Sequence, residues 1–218
     1  MFYLNKLIMK NVSSKSNLLL VLAFACTSIA SYAQDETESK TLFNDPISLS
    51  ELGFYVNPTY QIGNLDEATA HILGVRGGVM LSSSVTVGGA YHWTLNNISP
   101  QSEVVDNLYM DMRLGGAFVE YTLWSDQVFH LTFPLMIGIG EVEMDWETDI
   151  DTDTNPYGEE NFFFIEPSAQ LEVNLMKNIR FHTGIAYRIV GNMDYRALDQ
   201  SDISGLTGVA GLKIGLFR

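Results

Sequence analysis

The sequence predicts an all-β chain that closes into an eight-stranded antiparallel up-and-down transmembrane β-barrel. Eight segments alternate apolar and polar residues with a period of two, which is the periodicity of a β-strand. The segments are joined by connections that are alternately short and long, as in a barrel that crosses a bilayer. After residue 33 no apolar stretch reaches the roughly 20 residues of a spanning helix, so strands would have to cross the membrane.

The first 33 residues resemble a secretory signal peptide that is cleaved. Lys6, Lys10 and Lys15 precede an apolar run over residues 18–26, and Ser31-Tyr32-Ala33 has the small-x-small pattern of a cleavage site. A membrane anchor helix is the alternative, but the apolar run is much shorter than about 20 residues. The only cysteine, Cys26, lies inside this segment, so the mature chain is expected to have no thiol. A lipoprotein anchor at Cys26 is a further alternative.

Residues 34–50 are polar and are predicted to form a periplasmic leader, followed by the barrel over residues 51–218. Without the signal, the chain has 9 Lys and Arg against 26 Asp and Glu, a formal charge of about −17. This charge argues against nucleic acid as a partner, because a polyanion is bound through a broad basic surface.

Each predicted strand places its larger apolar residues on one face. The strands are residues 53–63, 71–81, 85–95, 108–124, 128–146, 162–175, 179–190 and 206–217. In two strands the phase of the alternation is ambiguous, and bulges at Gly115-Gly116 and at Gly140 would account for it. Short turns are predicted at 82–84, 125–127 and 176–178, long polar loops at 97–107, 147–161 and 191–204, and an intermediate loop at 64–69.

The polar faces favour a barrel whose apolar face meets lipid. They combine charges of both signs with Gly, Ala, Ser and Thr, as the interior of a narrow barrel requires. The predicted lumen charge network comprises Arg76, Asp111, Arg113, Glu166, Glu172, Arg180, Arg188 and Lys213. Aromatic residues fall in two groups, as expected for girdles at the two interfaces of the membrane. Those toward the long loops are Tyr60, Tyr91, Trp93, Phe163 and Tyr187, and those toward the short turns are Phe54, Phe118, Phe129 and Phe181.

From about Leu52 to its end, the chain resembles the small eight-stranded outer-membrane barrels of the OmpA and OmpX type. The resemblance is architectural, and no strand carries a motif of one particular member. The last strand, residues 208–218, is similar to the signal that such proteins present to the barrel insertion machinery, with alternating apolar positions that close on an aromatic residue. Here Phe217 is followed by Arg218, whereas the family's pattern usually ends on the aromatic residue itself.

One loop has the ligand order of a calcium site. Asp149, Asp151, Asp153 and Asn155 alternate, and Glu160 follows eleven residues after Asp149. Thr154 occupies the place where such a loop needs glycine, and the flanks read as strands, so a solvated acidic loop is the favoured interpretation. Clustered carboxylates could also bridge divalent cations to lipopolysaccharide.

The sequence indicates what the protein is more clearly than what it does. We expect a bacterial outer-membrane protein with a structural or surface-interaction role, a mostly closed lumen, no catalytic activity and no cofactor; its predicted partners are lipid and lipopolysaccharide. A small porin-like channel is the first alternative. A lipid-modifying enzyme, with His92, Thr94, Ser99 and Asp106 as the candidate residues, and a soluble ligand-binding barrel are the others.

Overall fold

The computed structural model describes residues 52–100, 108–146, 158–191 and 193–217. Eight strands form a closed antiparallel barrel, as the sequence predicts, and the last barrel strand pairs with the first. They are β1 (Gly53–Leu65), β2 (Ala68–Met80), β3 (Val85–Thr94), β4 (Leu108–Leu123), β5 (Phe129–Trp146), β6 (Glu159–Met176), β7 (Ile179–Gly191) and β10 (Gly205–Leu216). Between β7 and β10 lie a two-stranded hairpin of β8 (Asp194–Tyr195) and β9 (Leu198–Asp199) and a one-turn helix, α1 (Gln200–Ile203). The predicted signal peptide and leader lie outside the described residues.

Within the described ranges, no helix is long and apolar enough to cross a membrane.

The barrel has a short-turn end and a long-loop end. At the short-turn end, the connections are residues 81–84, 124–128 and 177–178. At the long-loop end, β3–β4, β5–β6 and β7–β10 are joined by longer segments. The predicted intermediate loop after the first strand is instead a two-residue turn at Asp66-Glu67, with φ of 45° and 62°. Two successive left-handed residues form the turn that matches the twist of a tight hairpin.

The apolar faces of the strands point away from the lumen. Ile137 and Ile139 on β5 are 54% and 55% exposed, and Phe129 at the start of the strand is 60% exposed. The lumen, by contrast, is lined by buried polar side chains such as Asn57, Gln61 and Glu166. The eleven residues from Phe129 to Ile139 span about 34 Å along the strand, or roughly 25 Å along the membrane normal at a tilt of about 45°. That height is the thickness of the apolar band of a membrane barrel, so the outward face is a lipid-facing face.

Strands β4, β5 and β6 continue beyond this band at the long-loop end. They contain 16, 18 and 18 residues, whereas about 9 to 11 residues cross a bilayer. Above Ile139, the outward positions of β5 become Glu141 and Glu143, and the inward positions become Val142 and Met144, both fully buried. The outer solvent therefore changes from lipid to water along one strand.

The bulges predicted at Gly115-Gly116 and Gly140 are wrong. The pairing register of β4 with β3 and β5, and of β5 with β6, runs through these glycines without a shift. The apparent change of phase in the sequence comes from the change of outer solvent, because residues of the opposite polarity then occupy the same outward face.

The extended part of the barrel is closed by an apolar core. Its buried residues from the strands and loops are Leu65, Ile72, Ile98, Leu108, Met110, Met112, Leu114, Val142, Met144, Phe162 and Phe164, which we call the apolar layer. The segment from β8 to α1 adds Met193, Tyr195, Leu198 and Ile203 to the same cluster. Hydrogen bonds attach it to the barrel. They include bonds from the Asp66 amide to the Asp202 carbonyl (2.8 Å), from the Tyr195 hydroxyl to the Gly158 carbonyl (2.7 Å) and from the Val190 amide to the Ser204 hydroxyl (3.0 Å).

Helix α1 has a capping box that makes its first turn stable. The side chain of Asp199 accepts hydrogen bonds from the Ser201 amide (2.6 Å) and the Ser201 hydroxyl (2.5 Å). The Asp202 carboxylate in turn accepts from the Asp199 amide at 2.7 Å. The bonds from Ser201 lower the pKa of Asp199, because they stabilise its ionised form.

Candidate functional site: the polar lumen

Toward the short-turn end, four charged side chains form what we call the lower ion group. The Nζ of Lys213 lies 2.5 Å from Glu120 Oε1 and 2.6 Å from Glu172 Oε2. Arg180 Nη1 donates to the other oxygen of Glu172 at 3.1 Å. The group holds two cations and two carboxylates, and the side chains of Lys213, Glu120 and Glu172 are at most 3% exposed. Charges buried to this degree are stable only when each has a partner.

Two aromatic rings cover the lower ion group. The guanidinium carbon of Arg180 lies 3.9 Å from the centre of the Phe217 ring, and Phe217 stacks on Tyr55 with ring centres 6.2 Å apart. Lys213 Nζ lies 4.9 Å from the centre of the Tyr55 ring. The result is a stack of cation, ring, ring and cation at the short-turn mouth of the lumen, in which both cations face aromatic π electrons.

Nearer the apolar layer, three side chains form the upper ion group. Arg188 Nε donates to Glu166 Oε2 at 3.2 Å, and Gln61 Nε2 donates to Glu166 Oε1 at 3.3 Å. Arg76 Nη2 lies 4.0 Å from the same Oε1, at the outer limit for an ion pair. Arg188 Nη1 also contacts Met112 Sδ at 3.5 Å, where the polar lumen meets the apolar layer. We define the upper ion group as Arg76, Glu166 and Arg188.

Six of the eight predicted network residues lie in the lumen, and two do not. The predictions for Asp111 and Arg113 are wrong, because both point outward from β4. The Arg113 side chain is 50% exposed and pairs with Glu141 at 3.0 Å and Glu143 at 3.8 Å on the outer face of β5. Both lie in the part of β4 that extends beyond the lipid-facing band, where the outward face meets water and charged residues belong outside.

Sequence reasoning missed Glu120, which carries one of the two negative charges of the lower ion group. The assumed bulge at Gly115-Gly116 left the face of Glu120 unassigned. Continued without interruption, the alternation that starts at Met110 places Glu120 inward, together with Thr122. The same continuity places Phe118 in the lumen, 5% exposed, so its predicted place in the short-turn girdle is wrong. The other girdle residues lie on the outward face. Trp93 is half-buried, and the exposed fraction of the others ranges from 37% for Phe181 to 68% for Phe163.

Four of the five predicted calcium ligands, Asp149, Asp151, Asp153 and Asn155, fall outside the described residues. Glu160 is described and lies near the start of β6, on the same face as Phe162. Within the described part of the chain, no three His, Cys, Asp or Glu side chains form a group that could hold a metal ion. The calcium site therefore stays a prediction.

We compared the chain with known proteins by sequence and by structure. No family model and no curated protein matches the sequence. Among solved structures, Neisserial surface protein A matches with a TM-score of 0.52 at 8% identity, over 77% of this chain and 97% of that one. This chain has the fold of the small eight-stranded outer-membrane β-barrels.

Other solved outer-membrane barrels are similar over the same region, with lower scores. A major outer membrane protein from Thermus thermophilus has a TM-score of 0.49 at 6% identity, over 75% of this chain and 99% of that one. The N-terminal β-barrel domain of Pseudomonas aeruginosa OprF has a TM-score of 0.47 at 14% identity, over 75% of this chain and 97% of that one. At such identities, the similarity concerns the fold alone.

The end of the last barrel strand differs from the predicted insertion signal. The alternating apolar face of β10 consists of Leu212, Ile214 and Leu216, which are exposed to the lipid side. Phe217 belongs to the opposite face and packs over Arg180 and Tyr55 in the lumen mouth. The prediction that Phe217 closes the apolar row is therefore wrong. Phe217 lies an odd number of residues from Leu212, Ile214 and Leu216, so its side chain points to the other face.

The enzyme alternative finds no assembled site among the described residues. His92 is fully buried in the lumen of the barrel, and neither of its ring nitrogens has a hydrogen-bond partner in the described part of the chain, so no acid among those residues orients it as a base. Thr94 accepts a hydrogen bond from the Met112 amide at 3.1 Å and so serves the β3–β4 pairing. Ser99 is exposed, and Asp106 lies outside the described residues.

Proposed function

We propose that this chain is an integral protein of the bacterial outer membrane with a closed, non-conducting lumen and a structural or surface-interaction role. The observation that carries the proposal is the content of the lumen. Two buried ion groups and an apolar layer follow one another from the short-turn end to the long-loop end. An ion that crossed this path would have to break buried ion pairs and then leave its hydration shell among Met, Leu and Phe side chains, and both steps are costly.

In the proposed orientation, the long-loop end faces the cell exterior, and the start of β1 and the end of β10 face the periplasm, as in other barrels with short periplasmic turns. The wall formed by β4, β5 and β6 then extends outside the membrane. Its outward side carries a row of carboxylates, in which Asp111 pairs in register with Glu143 and Glu143 with Glu159. This row is suited to contact with lipopolysaccharide through divalent cations, which bind carboxylate and phosphate oxygens together.

The closed lumen is tested by recording currents and measuring folding on the same preparation. The protein is extracted from membranes, its folding is verified by heat-modifiable gel migration, and single-channel currents are recorded in planar bilayers. The proposal expects heat-modifiable migration without discrete conductance. Discrete conductance from folded protein would establish the porin-like alternative, and a protein that stays monomeric in water without detergent would contradict the membrane location.

The surface role is tested with variants of the carboxylate row. A variant with Asp111→Asn, Glu143→Gln and Glu159→Gln is compared with wild type for thermal stabilisation by lipopolysaccharide with and without Mg²⁺. A matched control, Asp126→Asn, removes one carboxylate at the short-turn end. We expect Mg²⁺-dependent stabilisation of wild type and of the control only. Equal stabilisation of all three proteins would exclude this contact.

A further inference from the structure

The upper ion group contains more positive than negative charge. It holds two guanidinium groups, Arg76 and Arg188, and one carboxylate, Glu166, all at most 3% exposed. Arg188 Nε lies within hydrogen-bonding distance of Glu166 Oε2, at 3.2 Å. Arg76 Nη2 lies farther from the same carboxylate, 4.0 Å from Oε1. The lower ion group, by contrast, is balanced. A buried charge without a counter-charge is unfavourable, so an excess of this kind requires a further partner.

Unused hydrogen-bond donors surround the same place. Arg76 Nε and Arg188 Nη2 have no hydrogen-bond partner among the described residues, and neither does the hydroxyl of Thr59. The His92 ring is also without a hydrogen-bond partner in the described part of the chain, and a neutral ring offers one N–H donor and one acceptor nitrogen. The His92 ring lies over Gly74, two residues before Arg76 on β2, which places it beside the same group. Native proteins rarely leave so many buried donors unused.

The strand register explains why these groups converge. Thr59 on β1 is paired with Gly74 on β2, and Gly74 with His92 on β3. A Cβ on Gly74 would lie 2.8 Å from the Thr59 hydroxyl and would collide with the His92 ring, so both side chains lean over this glycine. Arg76 is the next inward residue along β2. Its partner on β3 is the small residue Ala90.

We propose that the lumen holds a buried site for a small monovalent anion of the chloride class, bound by Arg76, Arg188, the Thr59 hydroxyl and the ring N–H of His92. Unpartnered atoms elsewhere in the described part of the lumen include acceptors as well as donors, and the ion group there is balanced. Gln170, for example, leaves both its amide oxygen and its amide nitrogen unused, and a water molecule satisfies a donor and an acceptor equally. At the upper ion group, the free atoms of Arg76, Arg188 and Thr59 can all donate, and among the described residues they outnumber the one free acceptor beside Glu166, Gln61 Oε1. The net charge of the group is positive. An anion accepts from the free donors and also balances the positive charge, whereas water only accepts from the donors.

The proposal goes beyond the closed lumen, because the site is defined by its charge and donors whether or not ions can pass the apolar layer. The anion would be enclosed when the barrel closes. The test therefore begins with unfolded protein. The full chain is extracted from membranes, unfolded, and refolded in detergent with bromide as the only halide. It is then crystallised and examined for anomalous scattering at the bromine edge.

We expect one anomalous peak inside the barrel within hydrogen-bonding distance of the Arg76 and Arg188 guanidinium groups. Arg76→Gln removes the excess charge and leaves Glu166 paired with Arg188 and Gln61, so this variant should fold without the peak. Arg76→Lys keeps the charge and should retain it. The matched control Arg113→Gln, on the outer face of the same barrel, should also retain it.

A second measurement tests the site in solution. Unfolded protein is refolded either in chloride or in gluconate at constant ionic strength, and the temperatures of the heat-modifiable gel shift are compared, since gluconate is too large for the site. Wild type and Arg113→Gln should shift upward with chloride, and Arg76→Gln should not shift. In the bromide crystals, lumen density without anomalous signal would show that water fills the site. Anomalous peaks only on the outer surface would mean an adventitious ion only. A lumen peak that persists in Arg76→Gln would refute the assignment to Arg76. Each of these results would overturn the proposal.

Discussion

Replacing Lys213 by methionine is predicted to destabilise the barrel strongly, and a second substitution is predicted to reverse most of the loss. Lys213 is 2% exposed and contacts both Glu120 and Glu172. In Lys213→Met, Glu172 retains Arg180 at 3.1 Å, but Glu120 keeps no ionic partner among the described residues. Removal of one partner from a buried ion pair costs about 3–5 kcal/mol, because a charge is left uncompensated. Adding Glu120→Gln removes that charge, so the double variant should lie within about 1–2 kcal/mol of wild type.

The assay is unfolding by urea from lipid vesicles, followed by tryptophan fluorescence and by heat-modifiable migration. Arg113→Met is the matched control, since its side chain is 50% exposed and a pair of this kind contributes only about 0–1 kcal/mol. The reasoning would be refuted if Lys213→Met cost no more than Arg113→Met, because the lumen would then solvate a free carboxylate. It would also be refuted if the double variant were as unstable as the single one.

Three further predictions concern the wall, the helix α1 and the N-terminus. Gly74→Ala should cost about 1–3 kcal/mol in the same urea assay, because its Cβ meets a buried histidine ring, whereas Gly77→Ala on the outward face, with open space around it, should cost little. The pKa of Asp199 is lowered in the folded state, so its contribution to α1 is present above the ordinary carboxyl range and is lost as the pH falls through the folded pKa. Hydrogen exchange should show protection of the Ser201 amide falling on acidification, and Asp199→Ala should remove that dependence; an unchanged pH profile in the variant would contradict it. Mass spectrometry of the exported protein should find Gln34 as its first residue, and an intact N-terminus would exclude cleavage.

The number of strands and their lipid-facing sides could be predicted because both depend on a period of two, which lipid enforces within the apolar band. The prediction failed for Asp111 and Arg113, because the sequence alone does not show where along β4 the outer solvent changes from lipid to water. An apolar outward residue within the bilayer and a polar outward residue above it produce the same pattern as a bulge. The sequence also cannot show which inward charges meet, because the pairing of Lys213 with Glu120 depends on the closure of the barrel and not on spacing along the chain.

The lower ion group also has a consequence for the order in which the barrel is completed. Its two carboxylates come from β4 and β6, one cation comes from β7, and the second, Lys213, comes only from the last strand. Until that strand joins β1, the lower ion group has two carboxylates and only one cation. Arrival of β10 removes this imbalance and brings Phe217 over the mouth at the same time. A chain truncated before Lys213 would therefore lose the charge balance of the lower ion group together with the strand that closes the barrel.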